Sequence, residues 1–260
     1  MTPTLLDTLK RPGAIRIDFQ PMISIRNGRP RLYALEALAR GPRGSSVERP
    51  DVLFEYARRK GEESQVDGIC IAQALASAAS LPGDPSISIN VHGSTLSNCD
   101  GFAERFLDAA ASFEISPDRL MLEIVEHRAP WVMESFRSTL DRLRDAGVRI
   151  AVDDLGVGAS NFRMIIDCRP DHLKVDRYIV NGCAGDPIRT GVIASIVSLG
   201  QAIGAVPIAE GIEHDEDLDV ITDLGVEIVQ GWLFAHAMPP SELAQTAYLE
   251  SYPTAKKGVH

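Results

Sequence analysis

Seven polar residues sit where short apolar runs end, and their types suit one kind of chemistry. They are Asn90, Glu123, the pair Asp153-Asp154, Lys174, Glu210 and Gln230. From Asn90 to Gln230 these run ends recur about every 28 residues, close to one strand-plus-helix unit each. Carboxylates gathered at one place repel one another unless a cation neutralises them. Oxygen ligands from Asp and Glu, with one Asn and no His or Cys, suit hard cations such as Mg²⁺ or Mn²⁺ better than zinc. Two such ions side by side are the usual apparatus for in-line attack of water on a phosphodiester. The residues alone therefore point to metal-assisted hydrolysis of a phosphate ester. Each also has a plainer reading. A single strand-end Glu caps a helix or sits solvated on a rim, Lys174 snorkels or pairs with Asp176, and Gln230-Gly231 makes a turn. Neighbours on a strand face opposite ways, so Asp153 and Asp154 reach one site only if the strand breaks at Asp154. Leu155-Gly156 permits such a break.

These residues need elements that bring them together. β-branched or apolar runs occur at Ile15–Phe19, Ser86–Val91, Leu120–Val125, Arg149–Val152, His172–Val175, Val206–Ala209 and Glu227–Val229. Helical patterns lie between them. Phe54–Ser80 reads as two helices broken near Gly61, and Pro130–Ala146 stops at Gly147. A helix opened by Asp186-Pro187 stops near Gly204, His214–Leu224 stops at Gly225, and Pro240–Leu249 ends the fold. Alternation of this kind predicts an α/β protein with a parallel sheet and outer helices. A (β/α)8 TIM-type barrel is favoured over an open sheet, because only a barrel brings six strand ends to one mouth. One domain is expected over residues 15–250, after an N-terminal segment 1–14 and before a disordered tail 251–260.

Composition narrows the classes further. The chain has 260 residues and a net charge of -10, which offers no basic footprint for duplex nucleic acid. Its 45% apolar and 24% charged residues are those of an ordinary globule. No apolar run reaches the ~20 residues of a membrane span, and Met1–Gly13 does not read as a signal peptide. Cys70, Cys99, Cys168 and Cys183 form no C-x-x-C pair, so reduced thiols and a cytoplasmic location are expected. There is no glycine-rich phosphate loop, since Gly156-Val157-Gly158 lacks a third glycine and no G-K-S/T occurs.

At this point the residues carry a resemblance. Glu36-Ala37-Leu38 followed by Arg40 resembles the E-A-L-x-R signature of the EAL domain family, the cyclic di-GMP phosphodiesterases. Further matches follow in family order. Gln20-Pro21 resembles the opening Q-P, and Asn90 stands at the strand-end asparagine. Glu123-Ile124-Val125-Glu126 resembles E-L/I-T-E, Asp153-Asp154-Leu155-Gly156 resembles D-D-F-G, and Leu173-Lys174-Val175-Asp176 resembles L-K-I-D. Glu210-Gly211-Ile212-Glu213 is similar to E-G-V-E, and Gln230-Gly231-Trp232-Leu233-Phe234 to Q-G-Y-L-F. The resemblance implies a barrel with one reversed strand, a homodimer, and hydrolysis of cyclic di-GMP to linear pGpG with two divalent ions. It implies that Glu36, Asn90, Glu123 and Asp153 hold one ion, and that Asp153, Asp154 and Glu210 hold the other. Lys174 would orient or help deprotonate the water, with Glu210, Glu213 and Gln230 completing the catalytic set. Gln20, Arg40 and Asp176 would bind substrate, and Glu126 would brace the loop after Asp154.

The departures from the family pattern cluster in that loop. D-D-F-G-T-G-Y-S-S appears here as residues 153–161 with Val157 and Ala159 in place of a hydroxyl and an aromatic ring. Val125 replaces a threonine, Ala237 replaces a frequent proline, and Gly41–Pro50 is short. Two readings follow: an active phosphodiesterase, or a degenerate domain that binds cyclic di-GMP or a protein partner without turnover.

Overall fold

A computed structural model describes residues 4–11, 13–125, 133–157 and 161–250. Eight strands close into a barrel in sequence order: β1 (Arg16–Ser24), β2 (Arg31–Arg40), β3 (Ile87–His92), β4 (Leu120–Val125), β5 (Arg149–Leu155), β6 (His172–Val175), β7 (Val206–Ala209) and β8 (Ile228–Val229). β1 is antiparallel to both β2 and β8, and every other pair is parallel. The expected barrel with one reversed strand is thus observed. The reversal has a simple cause: the short turn between Ser24 and Arg31 can join antiparallel strands, whereas a parallel crossover needs about a dozen residues or more.

Three expectations need correction. No strand is expected at residues 31–40, yet β2 occupies them and carries Glu36. β1 does not stop at Phe19 but runs through Pro21 to Ser24, because β2 pairs with it along that whole length. The single helix expected over Pro240–Leu249 is two short ones, Pro240–Leu243 and Ala247–Glu250. There the Thr246 hydroxyl takes the Leu243 carbonyl at 2.7 Å, and the backbone tightens to i→i−3 bonds that end the first helix. The break near Gly61 and the helix opened by Asp186-Pro187 are as expected. Asp186 accepts from Ile188 N at 2.9 Å, and Gly204 closes that helix at φ +76. The helix expected from Pro130 is seen over Met133–Asp145; its expected start lies outside the described residues. The N-terminal segment forms a helix over Leu5–Leu9, with Leu9 buried in the core. Among the described residues, no helix is long and apolar enough to cross a membrane.

Two hydrophobic layers build the molecule. The larger packs the helices against the outward strand residues, such as Ile87, Ile89, Leu122, Ile150 and Leu173. The smaller fills the barrel with Met22, Ala34, Met121, Ala151, Ile208 and Ile228. Side chains on a strand alternate faces, so the residue two positions further toward the mouth also points inward. Ala34 leads to Glu36, Met121 to Glu123, Ala151 to Asp153, Ile208 to Glu210 and Ile228 to Gln230. On reversed β1, Met22 is preceded by Gln20. The apolar layer is therefore the floor on which the polar site stands. Beneath it the register slips between Met22 and Ile23, leaving Tyr33 as an extra residue on β2. That bulge lets the Tyr33 hydroxyl reach His172 Nε2 at 2.5 Å, while Arg149 donates to it at 3.0 Å. Burial and the Arg149 charge pull His172 down to about 4, so it is a neutral plug at the barrel's far end.

Candidate active site

Lys174 is the hub of the mouth. It is buried, and its Nζ meets Glu210 Oε1 at 2.6 Å, Asp153 Oδ1 at 3.2 Å, Glu36 Oε1 at 3.6 Å and, in a short contact, Glu123 Oε2. Glu36 also accepts from Asn90 Nδ2 at 2.9 Å and from Gln230 Nε2 at 2.6 Å. Gln230 reaches Gln20 at 3.2 Å, and Gln20 in turn donates to the Ala235 carbonyl at 3.0 Å. Six strand ends thus supply one connected set of side chains, as expected from the spacing of the polar residues.

The pair Asp153-Asp154 shows how the strand break works. Asp154 takes φ +53, a left-handed conformation, and the β5–β6 register shifts between Val152 and Leu155. That twist brings both carboxylates to one side, and ligand atoms of Asp153, Asp154 and Glu210 all lie within 4.8 Å of one another. Glycines let the next loops close in. A Cβ on Gly156 would sit 1.9 Å from Ile179 Cδ1, and one on Gly231 would sit 2.1 Å from the Ile212 carbonyl oxygen. Ile212 N bonds Gln230 O at 3.1 Å and Leu233 N bonds Ile212 O at 3.0 Å, so the E-G-x-E and Q-G segments are laced backbone to backbone.

Burial and crowding set the charges. Burial drives the Glu210 carboxyl up to about 8, against the pull of Lys174 and with the push of Asp153. Burial and the neighbouring charge of Asp153, then Asp176, carry Asp154 to about 6. Glu123 is pushed well above its ordinary range by burial and by Glu36. For Glu36, burial acts upward too, but Lys174 and the amides of Asn90 and Gln230 outweigh it and hold the carboxyl low. Burial alone would lower Lys174; Asp153, Glu123, Glu210 and Glu36 raise it well above its ordinary value. One ammonium thus faces more carboxylates than it can neutralise. Asp153 Oδ1 is buried and accepts no hydrogen bond. An all-oxygen set with a surplus of negative charge, in which Asp153 Oδ1 has an ammonium 3.2 Å away yet accepts no hydrogen bond, fits hard divalent cations.

The remaining expected site residues are placed as follows. Two cavities open here, of about 200 Å³ and about 460 Å³, and Glu36 and Asp153 line both. The smaller adds Gln20, Asp176, Glu213 and Gln230, with the half-exposed Trp232 at its edge. Asp176 spends one oxygen capping the helix Arg177–Val180, accepting from Tyr178 N at 2.7 Å. The larger cavity is walled by Ile17, Phe54, Ile89 and His92 and borders Asn90 and Asp154. Arg40 stands four residues beyond Glu36 on the same face of β2, with its Nε held by Asp18 at 3.0 Å. Glu126, like residues 158–160 of the altered loop and the tail 251–260, lies outside the described residues. Sequence reasoning missed Ser88, Asp18 and His92, which the inward parity of β3 and β1 would have flagged.

The chain belongs to the EAL domain family, whose family model matches residues 4–237. It is 31% identical over 233 residues to the cyclic di-GMP phosphodiesterase RocR of Pseudomonas aeruginosa, covering 87% of this chain and 58% of that protein. To the probable cyclic di-GMP phosphodiesterase PdeB of Escherichia coli it is 27% identical, covering 90% of this chain and 44% of that protein. The chain therefore spans about half the length of these curated relatives. Among solved structures it resembles BlrP1 of Klebsiella pneumoniae in a calcium/cy-diGMP complex, with a TM-score of 0.77 and 26% identity over 92% of this chain and 59% of that one. It also resembles the PaMucR phosphodiesterase in a c-di-GMP complex, with a TM-score of 0.76 and 25% identity over 88% of this chain and 99% of that one.

Proposed function

We propose that this chain hydrolyses cyclic di-GMP to linear 5′-pGpG, using two divalent ions, Mg²⁺ or Mn²⁺. The observation that carries this reading is Lys174 surrounded by four carboxylates at the barrel mouth, in a chain of the EAL family. Glu36, Asn90, Glu123 and Asp153 would hold one ion, and Asp153, Asp154 and Glu210 the other. When bound, the ions supply charge neutralisation and activation of water. The cavities share Glu36 and Asp153, so a dinucleotide lies across both with its scissile phosphate at the carboxylates. The four neighbouring carboxylates favour the charged form of Lys174 in the metal-free mouth, and its Nζ would orient the attacking water as a donor. The water's proton passes to a neighbouring carboxylate. The water oxygen bonds to phosphorus, the bond from phosphorus to the ribose 3′ oxygen breaks, and that oxygen takes up a proton from solvent while the carboxylate releases the one it accepted. The test is incubation of the purified chain with cyclic di-GMP and Mn²⁺. Linear dinucleotide should accumulate and cease on chelation; no product at any metal concentration would refute turnover.

Arg40 would contact a phosphate with the edge of its guanidinium that Asp18 leaves free. Arg40→Ala should weaken cyclic di-GMP binding by about 1.5–3 kcal/mol with little change in turnover at saturation. Calorimetry with substrate in a Lys174→Ala background separates the two, and unchanged affinity would remove Arg40 from the binding set.

Metal binding should depend on pH in a definite direction. Asp154 and Glu210 titrate near 6 and 8, above their unfolded values, so the folded metal-free chain binds these protons more tightly than the unfolded one. That contribution to stability is present at low pH and is lost as pH rises toward about 8. A cation must displace the same protons. The rise in melting temperature caused by Mn²⁺ should therefore grow between about pH 6 and about pH 8. A shift independent of pH would place the ion elsewhere.

The homodimer implied by the resemblance has an apolar face to use. Phe162 and Ile166, one turn apart on the helix Asn161–Cys168, are 72% and 69% exposed. Sedimentation should show a dimer that Phe162→Asp dissociates; a monomer at all concentrations would exclude this assembly.

A further inference from the structure

We infer that Ser88 is a positioning residue that sets how tightly the mouth holds its divalent cations, acting through Glu123. Ser88 lies on the inward face of β3, two residues before Asn90, paired in register with Glu36 on one side and with Met121 of the apolar floor on the other. It is fully buried, and its hydroxyl donates to Glu123 Oε1 in a short hydrogen bond. The other oxygen of the same carboxylate, Oε2, meets Lys174. Glu123 is itself fully buried and lines neither cavity. Its carboxylate is thus gripped from two sides, by β3 and by β6, and cannot turn about its last bond without breaking one grip. A buried hydroxyl in an apolar layer is costly unless it is bonded, so the pairing holds both groups in place. Groups that fix a ligand's rotation typically change metal affinity 10- to 100-fold when removed. Ser88 belongs to none of the motifs read from the sequence.

The inference rests on the cation-dependent reading above, and the test separates the two. Mn²⁺ binding to the substrate-free chain is measured by calorimetry, alongside melting without metal. Ser88→Ala should lower Mn²⁺ affinity about tenfold or more while the metal-free melting temperature stays within a few degrees. Ser88→Thr, which restores the hydroxyl, should recover affinity to within about threefold, and Ser88→Cys, a weak donor, should not. In a Glu123→Ala background, Ser88→Ala should change affinity less than about twofold, because the side chain it acts through is gone. Should Ser88→Ala fail to fold, the Thr and Cys variants carry the same comparison. Equal Mn²⁺ affinity in wild type and the Ala variant, or an equal loss in the Glu123→Ala background, would overturn the role of Ser88 alone. Absence of Mn²⁺ binding by the wild-type chain would overturn the functional reading and this inference together.

Discussion

Asp153→Asn should abolish turnover, lowering it by at least about a thousandfold, or about 4 kcal/mol of transition-state stabilisation. Asp153 is the ligand proposed to serve both ions, so one substitution weakens two sites. Its Oδ1 is buried, accepts no hydrogen bond and has the Lys174 ammonium 3.2 Å away. An amide there is neutral and can turn an N–H toward a cation, which repels it. Mn²⁺ affinity should fall about a hundredfold, equivalent to about 2.7 kcal/mol. The metal-free protein should behave in the opposite sense. Removing one charge from a crowded set relieves repulsion, so the variant should melt no lower than wild type without metal and gain less from adding it. That pairing excludes misfolding as the cause of lost activity. Full activity in Asp153→Asn would sink the two-ion account.

Lys174→Ala should cut turnover by about 10²–10⁴-fold, the usual range for a positioned proton-transfer or water-orienting group. Cyclic di-GMP binding should stay within a few-fold, since the proposed task of Lys174 is the water and not the ligand. Its stability effect should be equally large. Removing Lys174, the one ammonium among the described residues that meets Glu36, Glu123, Asp153 and Glu210, leaves these crowded carboxylates with no cation to offset them. Breaking such a buried pair typically costs about 3–5 kcal/mol. Divalent cations should restore much of this by mass action, so the variant should be far more metal-dependent in its melting than wild type. A variant with normal turnover, or one whose melting is insensitive to Mn²⁺, would remove Lys174 from its assigned place.

The polar residues of the mouth are legible in the sequence because a parallel barrel makes them so. Asn90, Glu123, Asp153, Lys174, Glu210 and Gln230 each end an apolar run, and one closed topology brings all those ends together. The strand carrying Glu36 is not legible in the same way. Arg31–Arg40 is rich in Leu, Ala, Glu and Arg, which favour helix, and it becomes a strand only because β1 and β3 hydrogen-bond to it on either side. Pro21 marks a false end for β1, since a missing N–H matters only where the ladder needs it. Ser88 shares the inward parity of Asn90 on β3, but parity alone does not give it a role. A serine inside an apolar run reads as filler until the fold shows that its hydroxyl points at Glu123. Asp154 was legible as a conditional: it reaches the site if the strand breaks, and its left-handed backbone supplies the break.

The most direct measurement of the central claim is the fate of the solvent oxygen. The purified chain is incubated with cyclic di-GMP and Mn²⁺ in ¹⁸O-labelled water, and the product is weighed by mass spectrometry. Water attack on one diester predicts 5′-pGpG with a single ¹⁸O in its terminal phosphate, formed by the wild-type chain, halted by chelation and absent with Asp153→Asn. Intact, unlabelled cyclic di-GMP recovered after prolonged incubation at saturating Mn²⁺ would contradict the account and leave a domain that binds the dinucleotide without opening it.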